Sequence, residues 1–409
     1  MTRVVDTRVL LPEIALEKEL ASQIYHALQG DVVHFILKNA KDTSDDDYWR
    51  SRMEGHCMKA DKDLLGNFYH LCMDVKQRLG FTEPVDFYVT GDSSINAFSI
   101  AAEDGQHPHI VNVNSELFNL MSENELKFVI GHELGHLINQ DTALRRLISF
   151  VFPPQASQIP ITLQFKIHLH DNLAELVADR YGYIACGNLE ACVTAFFKMA
   201  SGLDLEKMQV SIDDLLKDNS KHLDYFLKGG GISHYEHPVN PIRVQAINLF
   251  ANAVDQEELE SGMQELIEIL LKIGNNPIDE HMSLFIATAG LITANIDGEI
   301  TQEEYEHIIR NLSGSNIFPK IFLEDTSKND VEKLFEGSIN AILQINPGLK
   351  SHLLEYIISV VLSDKHIGEK EVDFVYSIGQ GLGLSVKEVS IIFANLIQRN
   401  FSPSLAAIS

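Results

Sequence analysis

The stretch that most constrains this chain is Ser122-Glu-Asn-Glu125, followed by Leu126-Lys-Phe-Val-Ile-Gly-His132-Glu133-Leu-Gly-His136-Leu-Ile-Asn139. Ser122 and Glu125 have the spacing of a capping box, in which each side chain satisfies an orphan amide at a helix start. The apolar run behind them reads as a helix, on which His132 and His136, four residues apart, lie one turn above each other on one face. Both imidazoles can then point a nitrogen at one ion. Zinc suits such a pair, because it has no electronic preference for a geometry and accepts neutral imidazole. Glu133, next to the first histidine, is placed to act as general base on water at such an ion. In a chain with 17 histidines the pattern can also arise by accident, so the rest of the sequence has to supply a third ligand and a substrate groove.

The remaining composition narrows the classes. A chain of 409 residues, 45% hydrophobic and 22% charged, folds into about two or three globular domains. Its net charge of -26 repels phosphate backbones and anionic headgroups, so nucleic acid is not an expected partner. The first residues carry no secretory-signal pattern. The apolar region from Leu147 to Phe165 is interrupted by Pro153, Pro154 and Pro160 and by several polar residues, so no transmembrane segment is expected. Cys57, Cys72, Cys186 and Cys192 form no C-x-x-C pair and read as reduced thiols of a cytosolic protein.

Residues 1–60 read as an N-terminal helical segment, with helices over Ile14–Leu28 and Val32–Lys38 and an acidic turn from Asp42 to Asp47. His56 and Cys57 read as a structural pair. Apolar spacing predicts a helix from Asp61 to Leu79, stopped by Gly80. Short strands are expected at Val85–Thr90, Ile95–Ile100 and His109–Val113, making a small sheet. A second helix, from Asn172 to about Ile184, carries Glu175 and Asp179 four residues apart on one face. One of these carboxylates can complete a zinc site while the other holds a ligand histidine by its free N–H. His168 and His170 are rival ligands, but their alternation looks strand-like and they read as bystanders.

Taken together, Asn96-Ala97-Phe98, Ser115-Glu-Leu, the Glu125–His136 run, Glu175-Leu-Val-Ala-Asp179-Arg180-Tyr181 and His237-Pro-Val-Asn-Pro-Ile-Arg243 resemble the M48 (Ste24 and HtpX-like) zinc metallopeptidases over about Asp61 to Phe250. The resemblance implies an α+β fold: a mainly helical zincin-type (gluzincin) peptidase domain with a small β-sheet. It implies that Glu175 is the third zinc ligand, beside His132 and His136, and that Asp179 holds a ligand histidine. It further implies that Asn96, Ala97 and Phe98 lie on an edge strand that takes up an extended peptide. By the same likeness His237 donates to the developing oxyanion or closes the free zinc position, and Arg243 stabilises negative charge or anchors the site. Many members of that family span membranes, whereas the proline-broken 147–165 segment of this chain looks like a lid or groove wall.

After Phe250 the pattern becomes serially helical: Leu259–Ile273, His281–Thr293, Glu303–Leu312, Val331–Leu343, Lys350–Leu362, Glu369–Leu382 and Val386–Gln398. Asp297-Gly-Glu-Ile300 and Asp364-Lys-His-Ile367 share Asp, Ile and a following Glu, which suggests a weak duplication. Residues 293–304 have much of a calcium-loop pattern, but Thr293 stands at its first ligand position, where an acidic side chain is needed for tight binding. The alternative, a resemblance to the tellurite-resistance (TerB-like) helical domain, is preferred, and no calcium site is assigned.

The expectation is therefore a domain order of 1–60, 61–252 (peptidase) and 253–409 (all-helical). Its function is that of a cytoplasmic zinc endopeptidase, with one Zn2+ per chain, acting on protein or peptide substrates in quality control or stress response. The helical domain would recruit a partner or self-associate. Two rivals stand beside this: a non-catalytic adaptor working through its acidic helical domain, and a latent protease closed by His237.

Overall fold

The computed structural model describes residues 10–40, 44–102, 107–153, 159, 161–228, 237–271, 277–294, 296, 328–362 and 367–400. The chain forms two compact units, the first within Met1–Ser157, Ile167–Lys228 and Tyr235–Leu270, the second within Gln158–Lys166, Gly229–His234 and Leu271–Ser409. It is mostly helical with one small mixed sheet, an α+β arrangement.

In the first unit the N-terminal helices are α1 (Ala15–Ala27), α2 (Gly30–Ala40) and α3 (Ser44–His56). Where a turn was expected over Asp42–Asp47, the chain is helical from Ser44, the first residue of α3, and residues 42 and 43 lie outside the described residues. A short strand β1 (Met58–Lys59) precedes α4 (Gly66–Arg78), and β2 (Val85–Thr90), β3 (Ala97–Ile100) and β4 (His109–Asn114) complete a four-stranded sheet in the order β1-β2-β4-β3. β2 and β4 run parallel, with Phe87 opposite Val111, while β3 runs antiparallel to β4, with Ala97 opposite Val113. Phe87, Val111 and Val113 pack onto Phe68, Cys72 and Val75 of α4. The same core takes in the apolar face of the motif helix α6.

A short helix α5 (Ser115–Leu120) leads into α6 (Glu123–Asn139). Both bonds of the Ser122–Glu125 capping box are made. Glu125 also accepts from Lys198 Nζ, at 2.8 Å, and from Thr194 Oγ1. Burial would raise its pKa, but these bonds from Lys198 and Thr194 hold it below the ordinary value, so α6 starts on a buried charged anchor. α6 stops at Gln140, whose φ of 63° is left-handed, and the chain reverses into α7 (Asp141–Val151).

α8 (Ile161–Cys186) carries both Glu175 and Asp179. It begins earlier than the helix expected from Asn172, and the strand-like reading of His168 and His170 is wrong: both lie on α8. Three residues of alternation are too few to distinguish a strand from a helix entering a core. Glycines bring α6 and α8 together. A Cβ on Gly135 would lie 2.9 Å from Tyr181 Cβ and 3.0 Å from Ala178 Cα, and one on Gly131 would lie 2.4 Å from Ala185 Cβ. α9 (Leu189–Ser201), α10 (Ile212–Leu227), α11 (Asn240–Asn252) and α12 (Gln256–Leu271) complete the described part of this unit.

The second unit contains the helices Pro277–Ala294, Lys328–Ile345, Lys350–Val361, Glu369–Gly381 and Val386–Asn400. Phe285, Ile286, Phe335, Ile342, Ile357 and Val375 form its core. The helix expected at Glu303–Leu312, the 293–304 loop apart from residues 293, 294 and 296, and residues 364–366 of the second copy of the repeat lie outside the described residues. Among the described residues no helix is long and apolar enough to cross a membrane.

Candidate metal centre

The close approach of α6 and α8 sets His132, His136 and Glu175 facing one another, with donor atoms within 4.8 Å. His136 Nε2 lies 3.1 Å from His132 Nε2, and these nitrogens are 3.5 and 3.4 Å from the two Glu175 oxygens. Donors bound tetrahedrally to zinc at about 2.05 Å are about 3.3 Å apart, so the three present the spacing of a zinc site. Their chemistry agrees. Each ring has its Nδ1 against a carboxylate, His132 on Asp179 at 2.9 Å and His136 on Asp141 at 3.0 Å. A carboxylate only accepts, so each Nδ1 carries hydrogen, and neutral rings then turn their Nε2 lone pairs toward each other. Glu175 Oε2 is buried, with His237 Nδ1 at 3.0 Å, His132 Nε2 at 3.4 Å and Arg243 Nη2 at 3.5 Å. Two ring nitrogens and two carboxylate oxygens converging in a buried setting fit a bound cation.

The charges around the site reinforce this. Burial lowers the His132 pKa, yet Asp179 and Glu175 raise it to about 10, so that without a metal ion a proton on His132 supplies the positive charge this position favours. Burial raises that of Glu175, and the charges of His136 and His132 with the contact from His237 bring it well below the usual carboxylate range. Asp179 is likewise held low against burial, chiefly by Arg243.

Arg243 comes from α11, and its Nε and Nη2 donate to the two Asp179 oxygens at 2.8 and 2.6 Å. Its guanidinium also lies over the Phe196 ring, 4.8 Å from the centroid. This bidentate clamp fixes Asp179, and through it the His132 ring. His237 is more than half exposed, with its Nδ1 3.0 Å from Glu175 Oε2. Glu133 is buried on α6, next to His132.

Asn96, Ala97 and Phe98 lie at and just before β3, alongside α6. β3 is the outer strand of the sheet, and among the described residues nothing pairs with its far edge. Asn96 O accepts from Asn114 N at 3.0 Å, and the Phe98 ring packs on Trp49, so it is the strand's backbone edge that is left to meet a ligand. A cavity of about 770 Å³ lies beyond the end of β3, lined by Ala101, Ala102, Leu137, Asn139, Asp141 and Leu147 among others. It reaches Asp141 but none of the three facing donors.

Sequence reasoning did not find Asp141, the partner of His136. It stands five residues after His136, off the helical face, and only the reversal at Gln140 brings its carboxylate back to the ring. His56 ends α3, and Cys57 Sγ lies 3.0 Å from Thr90 Oγ1, a packing role.

Comparisons with known proteins bear on the same residues. The peptidase family M48 model matches residues 70–250. The chain is similar to the plastoglobule-localized metallopeptidase 48, chloroplastic, of Arabidopsis thaliana, at 25% identity over 50% of this chain and 62% of that protein. It is 32% identical to protease HtpX homologs of Thermoplasma volcanium, over 23% of this chain and 29% of that protein, and of Trichormus variabilis, over 20% and 28%. The matched stretches thus span less than two thirds of each of these relatives. No solved structure matches. The family match takes in α6 and α8 and runs into α11 as far as residue 250, so that residues 70–250 of this chain are similar to the peptidase family M48 domain.

Proposed function

We propose that this protein is a zinc-dependent metalloendopeptidase that hydrolyses peptide bonds in protein substrates. The observation that carries the reading is the convergence of His132, His136 and Glu175, with both Nδ1 atoms anchored on carboxylates. These three residues would hold one zinc ion, which when bound supplies Lewis acidity. An extended substrate adds to the free edge of β3, its backbone amides pairing with the strand around Ala97 and Phe98 and a side chain reaching the cavity beyond Ala101. Glu133 takes a proton from the attacking water as its oxygen bonds to the scissile carbonyl carbon. Glu133 then returns the proton to the leaving amine as the C–N bond breaks. His237, more than half exposed, turns from Glu175 to donate to the oxyanion. Arg243 anchors the site through Asp179 rather than touching substrate, as its buried bidentate contact suggests.

The finer reading is a cytoplasmic enzyme of quality control or stress response. Its second unit is a TerB-like helical module that recruits partners or a second copy. The acidic composition and the separate core of that unit support the reading. The test is Glu133→Gln in the full chain. Hydrolysis of fluorescently labelled casein should fall by about 10²–10⁴-fold, with zinc content unchanged. Undiminished cleavage sinks the mechanism, and absence of zinc from the unaltered chain sinks the metal site.

A further inference from the structure

A second buried group of polar side chains lies behind the metal centre. Glu17 on α1, Asp141 at the start of α7 and His170 on α8 place donor atoms within 4.8 Å of one another. All three are buried, at 1, 3 and 1% exposure. His170 Nε2 lies 3.0 Å from Glu17 Oε1, and its Nδ1 lies 3.4 Å from Asp171 Oδ1. Between the carboxylates sits the amide of Asn139, the last residue of α6. Its Nδ2 donates to Glu17 Oε1 at 3.2 Å and to Asp141 Oδ1 at 2.7 Å. Lys18, the neighbour of Glu17, donates to the Asn139 oxygen and so sets which way the amide faces. The other Asp141 oxygen receives the His136 Nδ1 hydrogen.

Two readings compete for this group. Glu17 Oε2 is buried without a hydrogen-bond partner, which would suit a second cation. Against this, the space between Glu17 and Asp141 already holds two amide hydrogens fixed by Lys18, and His170 offers its hydrogens to Glu17 and Asp171. A cation there would have to displace the donors that already hold both carboxylates. The network fills the space without it, and it ends on His136.

We propose that the N-terminal helix is a structural part of the metal centre: Glu17 is a positioning residue that, through Asn139 and Asp141, orients His136 for the metal. This rests on the zinc reading above and adds a regulatory consequence: anything that lifts α1 loosens the zinc. The helix is held by separate ties. Arg180, next to Asp179 on α8, donates to the backbone oxygens of Pro12 and Glu13, each at 3.2 Å, just before α1 begins. Lys18 and Glu17 grip Asn139, and His170 grips Glu17. α1 therefore bridges the residues following both ligand-bearing segments, Asn139 after His136 and Arg180 after Asp179. Carboxylates that orient a ligand histidine fix its tautomer and ring plane, and loss of such a partner costs about 10–100-fold in metal affinity.

The experiment uses the full chain and measures zinc per chain, zinc Kd by chelator competition, and the visible spectrum of the cobalt-substituted protein. Asp141→Asn should weaken zinc by about 10–100-fold, and Glu17→Ala by about tenfold, with a shifted cobalt spectrum. Glu17→Gln, which keeps an acceptor for Asn139, should recover part of the loss. The double variant Glu17→Ala with Asp141→Asn should bind no more weakly than Asp141→Asn alone, because Glu17 acts through Asp141. The thermal midpoint of the metal-free chain separates a general loss of fold, and if Glu17→Ala does not fold, Glu17→Gln with Lys18→Met carries the test. An unchanged Kd and cobalt spectrum in the Glu17 variants, or additive losses in the double variant, overturns the proposal. So does a second zinc per chain that is lost with Glu17. An unaltered chain that binds no zinc overturns the metal reading itself, a result recognisable before any variant is made.

Discussion

His132, His136 and Glu175 on one side, and Glu17, Asp141 and His170 on the other, each bring nitrogen and oxygen atoms within 4.8 Å in a buried setting. Both groups contain a deeply buried carboxylate oxygen, Glu175 Oε2 in the first and Glu17 Oε2 in the second. The difference lies in what stands between the donors. In the first group two ring nitrogens face each other at 3.1 Å with their hydrogens committed elsewhere, so lone pairs converge. In the second, the amide of Asn139 fills the gap and donates to both carboxylates. Proximity of ligand-type residues is thus a weak criterion, and the location of the hydrogens decides between a cation site and a polar lock. Asp141 belongs to both, receiving His136 on one oxygen and Asn139 on the other.

The sharpest way to break this comparison is to remove one member of each group and count zinc. Glu175→Ala should leave the purified chain with almost no metal, whereas His170→Ala should keep about one ion per chain, by elemental analysis. Equal losses would erase the distinction drawn here.

A smaller effect tests how the first group is held. Arg243→Met leaves Asp179 as a buried charge without its bidentate partner, and the first unfolding transition should lose about 3–5 kcal/mol in denaturant titration. A loss below about 1 kcal/mol would mean that Asp179 does not depend on the clamp.

The mildest test probes the second group by pH. Burial lowers the His170 pKa, but Asp171, Glu17 and Asp141 raise it to about 9, above its ordinary 6.5. A raised folded-state value stabilises fully below pH 6.5, and the contribution is lost as pH climbs through 9. The span amounts to roughly 3 kcal/mol. Between pH 6.5 and 9.5 the unaltered chain should therefore lose more stability than His170→Asn, measured side by side so that other groups cancel. Parallel curves would show that His170 carries no such charge.

The sequence carried more of the first group than of the second, for a reason visible in particular residues. His132 and His136, and Glu175 and Asp179, are pairs at helical spacing, so each is a local feature written in a few neighbouring letters. The strands at Val85–Thr90 and His109–Asn114 and the helices at Lys350–Val361 and Glu369–Gly381 are legible on the same ground. Local reading failed at His168 and His170, where a short alternation imitated a strand, and at Ser44–Asp47, where acidic residues were taken for a turn rather than a helix start.

By itself, then, the sequence determined that a capped helix carries two histidines and a glutamate on consecutive turns, and that a second helix offers two carboxylates on one face. Only the tertiary structure decided that Asp141 holds His136, that Arg243 rather than solvent meets Asp179, and that Glu17 reaches the back of the site. Those contacts depend on a left-handed residue at Gln140 and on glycines that let two helices touch. Neither has a periodicity to read, because each joins residues that the chain brings together only after it has packed.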